Sequence, residues 1–266
     1  LAFTGNLNLY MGQLAAGGTL IAEDVFLPGK WEQVMARERA NGIYLIPSKL
    51  LMLPRVFKGV NANIRTIISG SQSLGRKDAE VLKKIFPNTE ITLYYGASEL
   101  NYITYVKSAD MTEERNLIGK PFPGVRVFIQ DDEMYVDNAF HVENITVPYS
   151  LKDSGRMDAQ GNFYFLGRTD DIVGVRGRKV SMMKIENALE EVAGITEAAV
   201  VLLPKEKDAD MPAEIVSAFV TVEGTDVPEN LRQQLKEKLA DFEIPKRVIV
   251  LEAFPKNTSG KVDKAR

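Results

Sequence analysis

The sequence has no cysteine and only one histidine among its 266 residues. The lack of thiols excludes disulfides, zinc–thiolate sites and cysteine nucleophiles. The lone histidine, His141, cannot form a histidine metal cluster, and its polar surroundings favour a solvated or structural role. Any chemistry that this chain performs must therefore use other side chains.

Long apolar runs and an excess of either charge are also missing. No segment approaches the roughly 18 apolar residues of a membrane span, and no signal peptide is visible. The 33 basic and 36 acidic residues give a net charge of −3, which argues against binding nucleic acid through its phosphates. The chain begins at Leu1 rather than at Met. We therefore expect a fragment without its natural N-terminus, with the cytoplasm as the default location.

Hydrophobic periodicity in the first hundred residues alternates between the two regular structures. It predicts helices at 31–40 and 78–86, and strands at 43–46, 64–68 and 91–94. Strand, helix and strand at this spacing indicate parallel βαβ units. The length and the 45% hydrophobic content suit one large domain or two ordinary ones.

The predicted secondary structure changes twice in the second half of the chain. Residues 119–167 read as a small, barrel-like β-subdomain that includes a hairpin of 125–129 with 133–136. A charge cluster at 168–171 follows, and then a compact α+β unit over 172–266. This unit is predicted to contain a helix at 184–192, strands at 198–203, 215–222 and 247–251, and a helix capped by Asp226 that carries Leu231, Leu235 and Leu239.

Polar and glycine residues follow two of the predicted strands directly. Gly70, Ser71 and Gln72 come after one strand, and the segment YYGASE at 94–99 comes after another. Ligands of open parallel sheets lie outside the carboxyl ends of strands. There a tyrosine ring can stack on a purine, a glycine admits close backbone approach, and a carboxylate can hold Mg²⁺. An ordinary turn after a strand explains either segment equally well on its own.

Several motifs together, in this order, resemble one enzyme superfamily. They are YYGASE at 94–99, DSGRMDAQG at 153–161, GRTDD at 167–171 and PKNTSGKVDK at 255–264. The chain is identified by them as a C-terminal portion of an adenylate-forming enzyme, the superfamily of acyl-CoA synthetases, peptide-synthetase adenylation domains and luciferases. Two departures stand out, because Ser98 replaces a threonine and Leu151-Lys152 replaces Thr-Gly.

The resemblance implies a role for each matching residue. Nucleotide binding falls to Gly70, Ser71, Gln72, Tyr95, Gly96, Ser98, Asp153 and Arg168, with Glu99 as the Mg²⁺ ligand and Asp153 on the ribose. Lys261 is implied as the catalytic lysine that bridges the substrate carboxylate and the α-phosphate. Asp170 is implied as a hinge, and Arg176 with Gly177 as the loop of the thiol-transfer step. A surface charge cluster is the alternative for Arg168 and Asp170, and a solvated basic turn is the alternative for Arg176 and Gly177. For Lys261 the alternative is an ordinary lysine in a basic tail.

The resemblance also implies an organisation and a reaction. Residues 1–167 are the remainder of a large adenylating domain, 168–171 the hinge, and 172–266 a mobile C-terminal domain. The reaction uses ATP, Mg²⁺ and coenzyme A to convert a carboxylic acid into a thioester through an acyl-AMP. The phosphate-binding loop that such enzymes need would lie before Leu1, so the fragment is expected to adenylate poorly or not at all.

The acid itself is only partly indicated. The amino-acid-activating branch has an aspartate where this chain has Thr4, so we disfavour an α-amino acid and expect a fatty or aryl acid. Transfer to the phosphopantetheine of an acyl carrier protein is an alternative to coenzyme A. The sequence also leaves open a non-catalytic AMP-binding or interaction module and a luciferase-like activity.

Overall fold

The structure is a computed structural model, and it describes residues 4–22, 26–175, 178–204, 214–256 and 262–264. The chain divides into two compact units, Leu1–Phe165 and Leu166–Arg266. No helix of the described residues is long and apolar enough to cross a membrane.

The first unit is organised around a mixed sheet. Its helices are α1 (Thr4–Ala15), α2 (Pro28–Arg37), α3 (Pro47–Leu50), α4 (Leu53–Val56) and α5 (Arg76–Ile85). Its strands are β1 (Gly42–Tyr44), β2 (Thr66–Gly70), β3 (Glu90–Ala97), β4 (Asn101–Lys107), β5 (Leu117–Pro121), β6 (Val125–Gln130), β7 (Glu133–Asn138) and β8 (Tyr149–Met157). A last strand, β9 (Phe163–Arg168), begins in this unit and continues past its final residue, Phe165.

The sheet contains nine strands in the order β1-β2-β3-β4-β5-β9-β8-β7-β6. β1, β2 and β3 are parallel, as the strand–helix–strand spacing predicted, and β3 pairs with β4 antiparallel. In the described residues this order does not close on itself. The expected barrel-like subdomain is therefore an open, antiparallel continuation of the same sheet.

Apolar periodicity produces the core that holds the parallel strands in place. α5 turns Ala79 and Leu82 inward, and its first turn is closed by the Asp78 carboxylate, which accepts from the Gly75 backbone N–H at 2.9 Å. Each large aliphatic side chain that is fully buried contributes roughly 1.5–3 kcal/mol. The members of this cluster with no exposed surface are Leu50, Leu53, Ile64, Ile67, Leu82, Phe86 and Ile91.

The second unit is an α+β arrangement, as expected. It contains β10 (Ile172–Val175), β11 (Arg178–Ser181), α6 (Met182–Glu190), β12 (Ile195–Pro204), β13 (Glu214–Val222), α7 (Leu231–Lys236) and β14 (Arg247–Val250). β12, β13 and β14 form one sheet, and β10 and β11 form a hairpin. α6 begins at Ser181, whose hydroxyl accepts from the Lys184 backbone N–H.

The predicted cap at Asp226 is wrong. α7 begins after Asn230, and Asp226 instead accepts a hydrogen bond from the hydroxyl of its neighbour Thr225 at 2.9 Å. The Pro228 carbonyl already accepts from the Leu231 N–H at 2.9 Å, so a turn separates Asp226 from the helix. Leu231, Leu235 and Leu239 are nevertheless all buried, as their spacing predicted.

Candidate nucleotide and acid site

The carboxyl end of β3 presents two tyrosines in opposite directions. β3 lies between parallel β2 and antiparallel β4, so its end is within the sheet rather than at an edge. Successive side chains of a strand point to opposite faces. Tyr94 accordingly packs against Tyr44 and Tyr102, whereas Tyr95 faces Asp153 and Phe165.

Tyr95 and Asp153 form a hydrogen-bonded pair although 58 positions separate them in the chain. The Tyr95 hydroxyl donates to Asp153 Oδ2, and Asp153 lies on β8 with only 5% of its surface exposed. A carboxylate accepts several hydrogen bonds at once, so Asp153 can hold a ligand hydroxyl group as well as the phenol. The structure thus brings together two residues from different sequence motifs, and both residues were predicted to bind the nucleotide.

Phe165 lies beside this pair. Its ring is centred 5.9 Å from the Tyr95 ring, with the planes tilted by 35°. Offset aromatic contacts of this kind hold a ring in place, and a held ring loses less entropy when a base stacks on it. Sequence reasoning missed Phe165 as a site residue, because an aromatic residue on a strand usually indicates core packing.

Gly96 is required by the backbone that surrounds it. A Cβ atom at this position would lie 2.2 Å from the Asn101 carbonyl oxygen, closer than any side chain tolerates. The pairing of β3 with β4 also shifts between Tyr95 and Gly96, which is a bulge. Glycine at this point therefore allows the strand to bend directly into the turn that carries Ser98 and Glu99.

Amide side chains fix that turn from outside. Asn138 Nδ2 donates to the Leu100 carbonyl at 2.7 Å, and the Val142 N–H donates to the Glu99 carbonyl at 3.0 Å. Asn101 has a positive φ of 57°, a conformation that asparagine adopts more readily than most residues. Its amide donates to the Phe140 carbonyl and accepts from Asn8 of α1, both at 2.5 Å.

The result is a half-buried Glu99 and an exposed Ser98 on a backbone held at several points. Sequence reasoning missed Asn101 and Asn138, because an asparagine contact with a distant carbonyl leaves no local pattern.

The turn after β2 lies next to Tyr94. Gly70 pairs with Tyr94 in the sheet, and a Cβ on Gly70 would lie 2.7 Å from the tyrosine ring. Ser71 follows with a φ of 69°. Gln72 Oε1 accepts from the Ser48 backbone N–H at 2.9 Å, which ties the turn to the start of α3.

The remaining predicted residues are distributed differently. Arg168 is the exposed last residue of β9, and Asp170 lies in a 3₁₀ turn, Thr169–Asp171, with its side chain outside the described part of the structure. Arg176, Gly177 and Lys261 lie outside the described residues. The roles of these five residues stay predictions.

The described residues that flank Lys261 are anchored within the second unit. Lys256 and Val262 form an isolated antiparallel bridge, and the Asp263 N–H donates to the Pro255 carbonyl at 2.9 Å. Lys264 Nζ lies 2.6 Å from Glu186 Oε1, which also accepts from the Val200 N–H at 2.7 Å. Burial raises the pKa of Glu186 above its ordinary value, and the Lys264 ammonium opposes that rise.

The donor groups near β3 suit a magnesium ion that arrives with its substrate. In the described ranges no group of three or more acidic or histidine side chains could hold a metal by itself. Mg²⁺ is usually held by one or two carboxylates together with substrate phosphates and water. Glu99, on its fixed turn beside the Ser98 hydroxyl, supplies a carboxylate of that kind.

Comparison with known families identifies the class of protein. The model of the AMP-binding enzyme family matches residues 1–139, and that of the AMP-binding enzyme C-terminal domain matches residues 184–261. The first match alone covers more than half of the chain. The chain therefore belongs to the AMP-binding enzyme family, within the adenylate-forming superfamily.

Individual relatives fall into two groups. An uncharacterized acyl-CoA ligase, YhfT of Bacillus subtilis, is 25% identical over 273 residues, which are 95% of this chain and 55% of that protein. Bacitracin synthase 1 of Bacillus licheniformis is 29% identical over 234 residues, 77% of this chain but 4% of that protein. The relatives thus include a ligase of acyl-CoA type and a peptide synthase.

A solved structure shares the fold. O-succinylbenzoate coenzyme A synthetase from Bacillus subtilis, in complex with ATP and magnesium ion, superposes with a TM-score of 0.81 at 19% identity. The match covers 96% of this chain and 57% of that one. The chain therefore spans about half the length of the ligases it matches.

Proposed function

We propose that this chain forms part of an ATP-dependent acid–thiol ligase that activates a fatty or aryl carboxylic acid as acyl-AMP and transfers the acyl group to coenzyme A. The contact between Tyr95 and Asp153 is the observation that carries the proposal. It places a stackable ring and a buried carboxylate together at the carboxyl end of a central strand, where a base and a ribose can be held.

In the first half-reaction an oxygen of the substrate carboxylate attacks the α-phosphorus of ATP. A new O–P bond forms, the bond to the bridging oxygen breaks, and pyrophosphate leaves. Tyr95 stacks on the base, Gly70 to Gln72 line its other side, and Ser98 donates to a phosphate oxygen. Lys261 lies between the two anions and lowers the repulsion that opposes their approach. Glu99 would hold a Mg²⁺ ion, which would supply positive charge to the phosphates when bound.

In the second half-reaction the thiol sulfur attacks the acyl carbon. The thiol proton is released, the C–O bond to AMP breaks, and AMP leaves with the bonding electrons. Arg168 contacts the ribose, and Asp170 is the position about which the C-terminal domain turns between the two steps. The loop at Arg176 and Gly177 then reaches the acyl-AMP.

Exchange of labelled pyrophosphate into ATP tests this proposal. The complete product of the gene is assayed with fatty, aryl and amino acids, beside Lys261→Ala and the matched control Lys236→Ala, which replaces an exposed lysine of α7. We expect exchange with one acid class, lost on the order of 10²- to 10³-fold in Lys261→Ala and unchanged in the control. Exchange that is equal in all three proteins would refute the role of Lys261.

Two outcomes would favour different functions. AMP binding without exchange for any acid would support a non-catalytic AMP-binding module. Exchange followed by transfer to the phosphopantetheine of an acyl carrier protein, and not to coenzyme A, would support the carrier-loading alternative. A cytoplasmic location and a role in fatty acid metabolism belong to the leading proposal. Exchange with a fatty acid tests the second, and cell fractionation tests the first.

A further inference from the structure

Three tyrosines meet on the face of the sheet opposite to Tyr95. The Tyr44 and Tyr94 hydroxyl oxygens are 2.7 Å apart, and their rings are stacked at 6.5 Å between centroids. The Tyr102 ring meets Tyr94 edge to face, with centroids 4.9 Å apart and planes at 89°. We call these three residues the phenol cluster.

The phenol cluster lies at the end of the sheet where the substrate-binding motifs are. Tyr44 ends β1, Tyr94 is near the end of β3, and Tyr102 is near the start of antiparallel β4. All three therefore lie at the carboxyl end of the parallel strands, beside the turn that begins at Gly70. The absence of a side chain on Gly70 is what leaves room for the Tyr94 ring.

α1 crosses the same region and contacts both β3 and β4. Tyr10 of α1 is close enough to Tyr44 to contribute to the rise in its pKa. A small ligand at this end of the sheet would therefore meet aromatic rings and phenol oxygens rather than aliphatic side chains alone.

The phenols are neutral and can donate hydrogen bonds. Burial raises the pKa of Tyr44, Tyr94 and Tyr102 above the ordinary value of a phenol. A pair of hydroxyl groups has two protons, and the contact between Tyr44 and Tyr94 uses one of them. The second proton has no acceptor in the part of the chain that the structure describes.

We propose that the phenol cluster forms a wall of the acid-binding pocket and selects an aryl carboxylic acid that carries an oxygen substituent on its ring. This inference rests on the proposed function and narrows its substrate class. The ring of such an acid can make edge-to-face and offset contacts with Tyr94 and Tyr102. Its oxygen substituent can accept the remaining phenol proton.

A long saturated acid fits the same wall less well. A methylene chain offers no acceptor, so a hydroxyl group that it covers loses its water and gains nothing in return. Leaving a buried donor unsatisfied costs roughly 1–3 kcal/mol, which corresponds to about 5- to 150-fold in affinity. The phenol cluster therefore disfavours the fatty-acid alternative without blocking it sterically.

The test compares three acids and three proteins. The acids are hydroxybenzoate, benzoate and octanoate, and the proteins are the wild type, the double variant Tyr44→Phe with Tyr94→Phe, and the control Tyr135→Phe. Both hydroxyl groups are removed, because either one left alone would still have a proton to donate. Tyr135 lies on β7, where it stacks on Phe128 outside the phenol cluster. Both exchange activity and direct binding of each acid by equilibrium dialysis are measured on the complete gene product. Thermal unfolding of each variant verifies that it is folded.

We expect the wild type to prefer hydroxybenzoate to benzoate by about 10-fold, and both to octanoate. The double variant should lose the preference for hydroxybenzoate over benzoate, and Tyr135→Phe should retain it. A preference for octanoate in the wild type, or an unchanged hydroxybenzoate preference in the double variant, would overturn the inference while exchange itself upholds the proposed function. Hydroxybenzoate binding that is lost in the double variant, in a protein that shows no exchange, would uphold the inference and refute the proposed function.

Discussion

Each unit of the molecule holds a carboxylate with little exposed surface, Asp153 in the first and Glu186 in the second, and the two carboxylates differ in their partners. Asp153 in the first unit accepts from a neutral phenol, Tyr95. Glu186 in the second unit faces the ammonium group of Lys264 and a backbone N–H. A hydrogen bond between a carboxylate and an ammonium group is stronger than one between a carboxylate and a phenol. A neutral donor of a ligand can therefore displace the phenol more easily than the ammonium group. The first arrangement suits a carboxylate that receives a ligand, and the second suits one that anchors the chain.

Replacing Asp153 tests the first side of this comparison and should have the largest effect. We expect Asp153→Ala to weaken AMP binding about 10- to 100-fold, because hydrogen bonds to a charged group contribute roughly 1.5–3 kcal/mol. Isothermal titration with AMP measures the change. Asp137→Ala, which removes a partly exposed carboxylate paired with Arg126 on the same sheet, is the control. Equal affinities for the two variants would show that Asp153 does not hold the nucleotide.

Replacing Glu186 tests the second side. Glu186→Ala should lower the unfolding free energy of the second unit by about 2 kcal/mol, since it leaves the Val200 N–H and Lys264 without their acceptor. Lys264 is 39% exposed, so water recovers part of its loss. Urea unfolding followed by circular dichroism measures the effect against exposed Glu237→Ala. A difference below about 0.5 kcal/mol would mean that this pair is not an anchor.

The Tyr95 hydroxyl should matter less than Asp153 itself. Tyr95→Phe keeps the ring that stacks and removes one hydrogen bond, so we expect AMP affinity to fall only about 3- to 10-fold. Combined with Asp153→Ala it should add little, because the two single changes remove the same contact. Fully additive losses in the titration would indicate that each group meets the nucleotide independently.

The smallest expected effect is a pH dependence from Glu186. Its pKa is raised by burial above the ordinary 4.5, with Lys264 lowering it and Asp171 adding to the rise. Relative to the unfolded chain the native state therefore binds this proton more tightly. The stability that this group contributes is present below about pH 4.5 and is lost as pH rises through the raised pKa.

Glu186→Gln removes that proton equilibrium and keeps the size of the side chain. The difference in unfolding free energy between the wild type and this variant should therefore shift in favour of Gln as pH rises above about 4.5. Urea unfolding at a series of pH values measures it. A difference that is constant with pH, or has the opposite slope, would contradict the expectation.

Local patterns predicted much of the fold. The helix at 78–86 corresponds to α5, and the hairpin of 125–129 with 133–136 corresponds to β6 and β7. Both have a strong period and clear turn residues. The prediction missed β4 and β8. β8 lies in a polar stretch around Asp153 and is a strand through pairing with β7. β4, by contrast, contains the buried apolar residues Ile103 and Val106, a strand signal that was passed over.

The candidate site was predictable to a similar extent. The motifs identified Tyr95 and Asp153 separately, but their contact depends on sheet order, which no local spacing contains. The turn around Glu99 depends on Asn101 and Asn138 for the same reason. The phenol cluster shows the limit most clearly, because Tyr44, Tyr94 and Tyr102 come from three strands and form no motif along the chain.

The adjacency of Tyr94 and Tyr95 has a consequence for how this enzyme family could be redesigned. Under the proposed function and the further inference together, Tyr94 faces the acid and Tyr95 faces the nucleotide, only about 3.3 Å further along the same strand. A one-residue deletion or insertion that shifts this part of β3 would turn each ring toward the other substrate. A change in the length of β3 would therefore disturb both substrates at once, whereas a substitution at Tyr94 can alter the acid side alone.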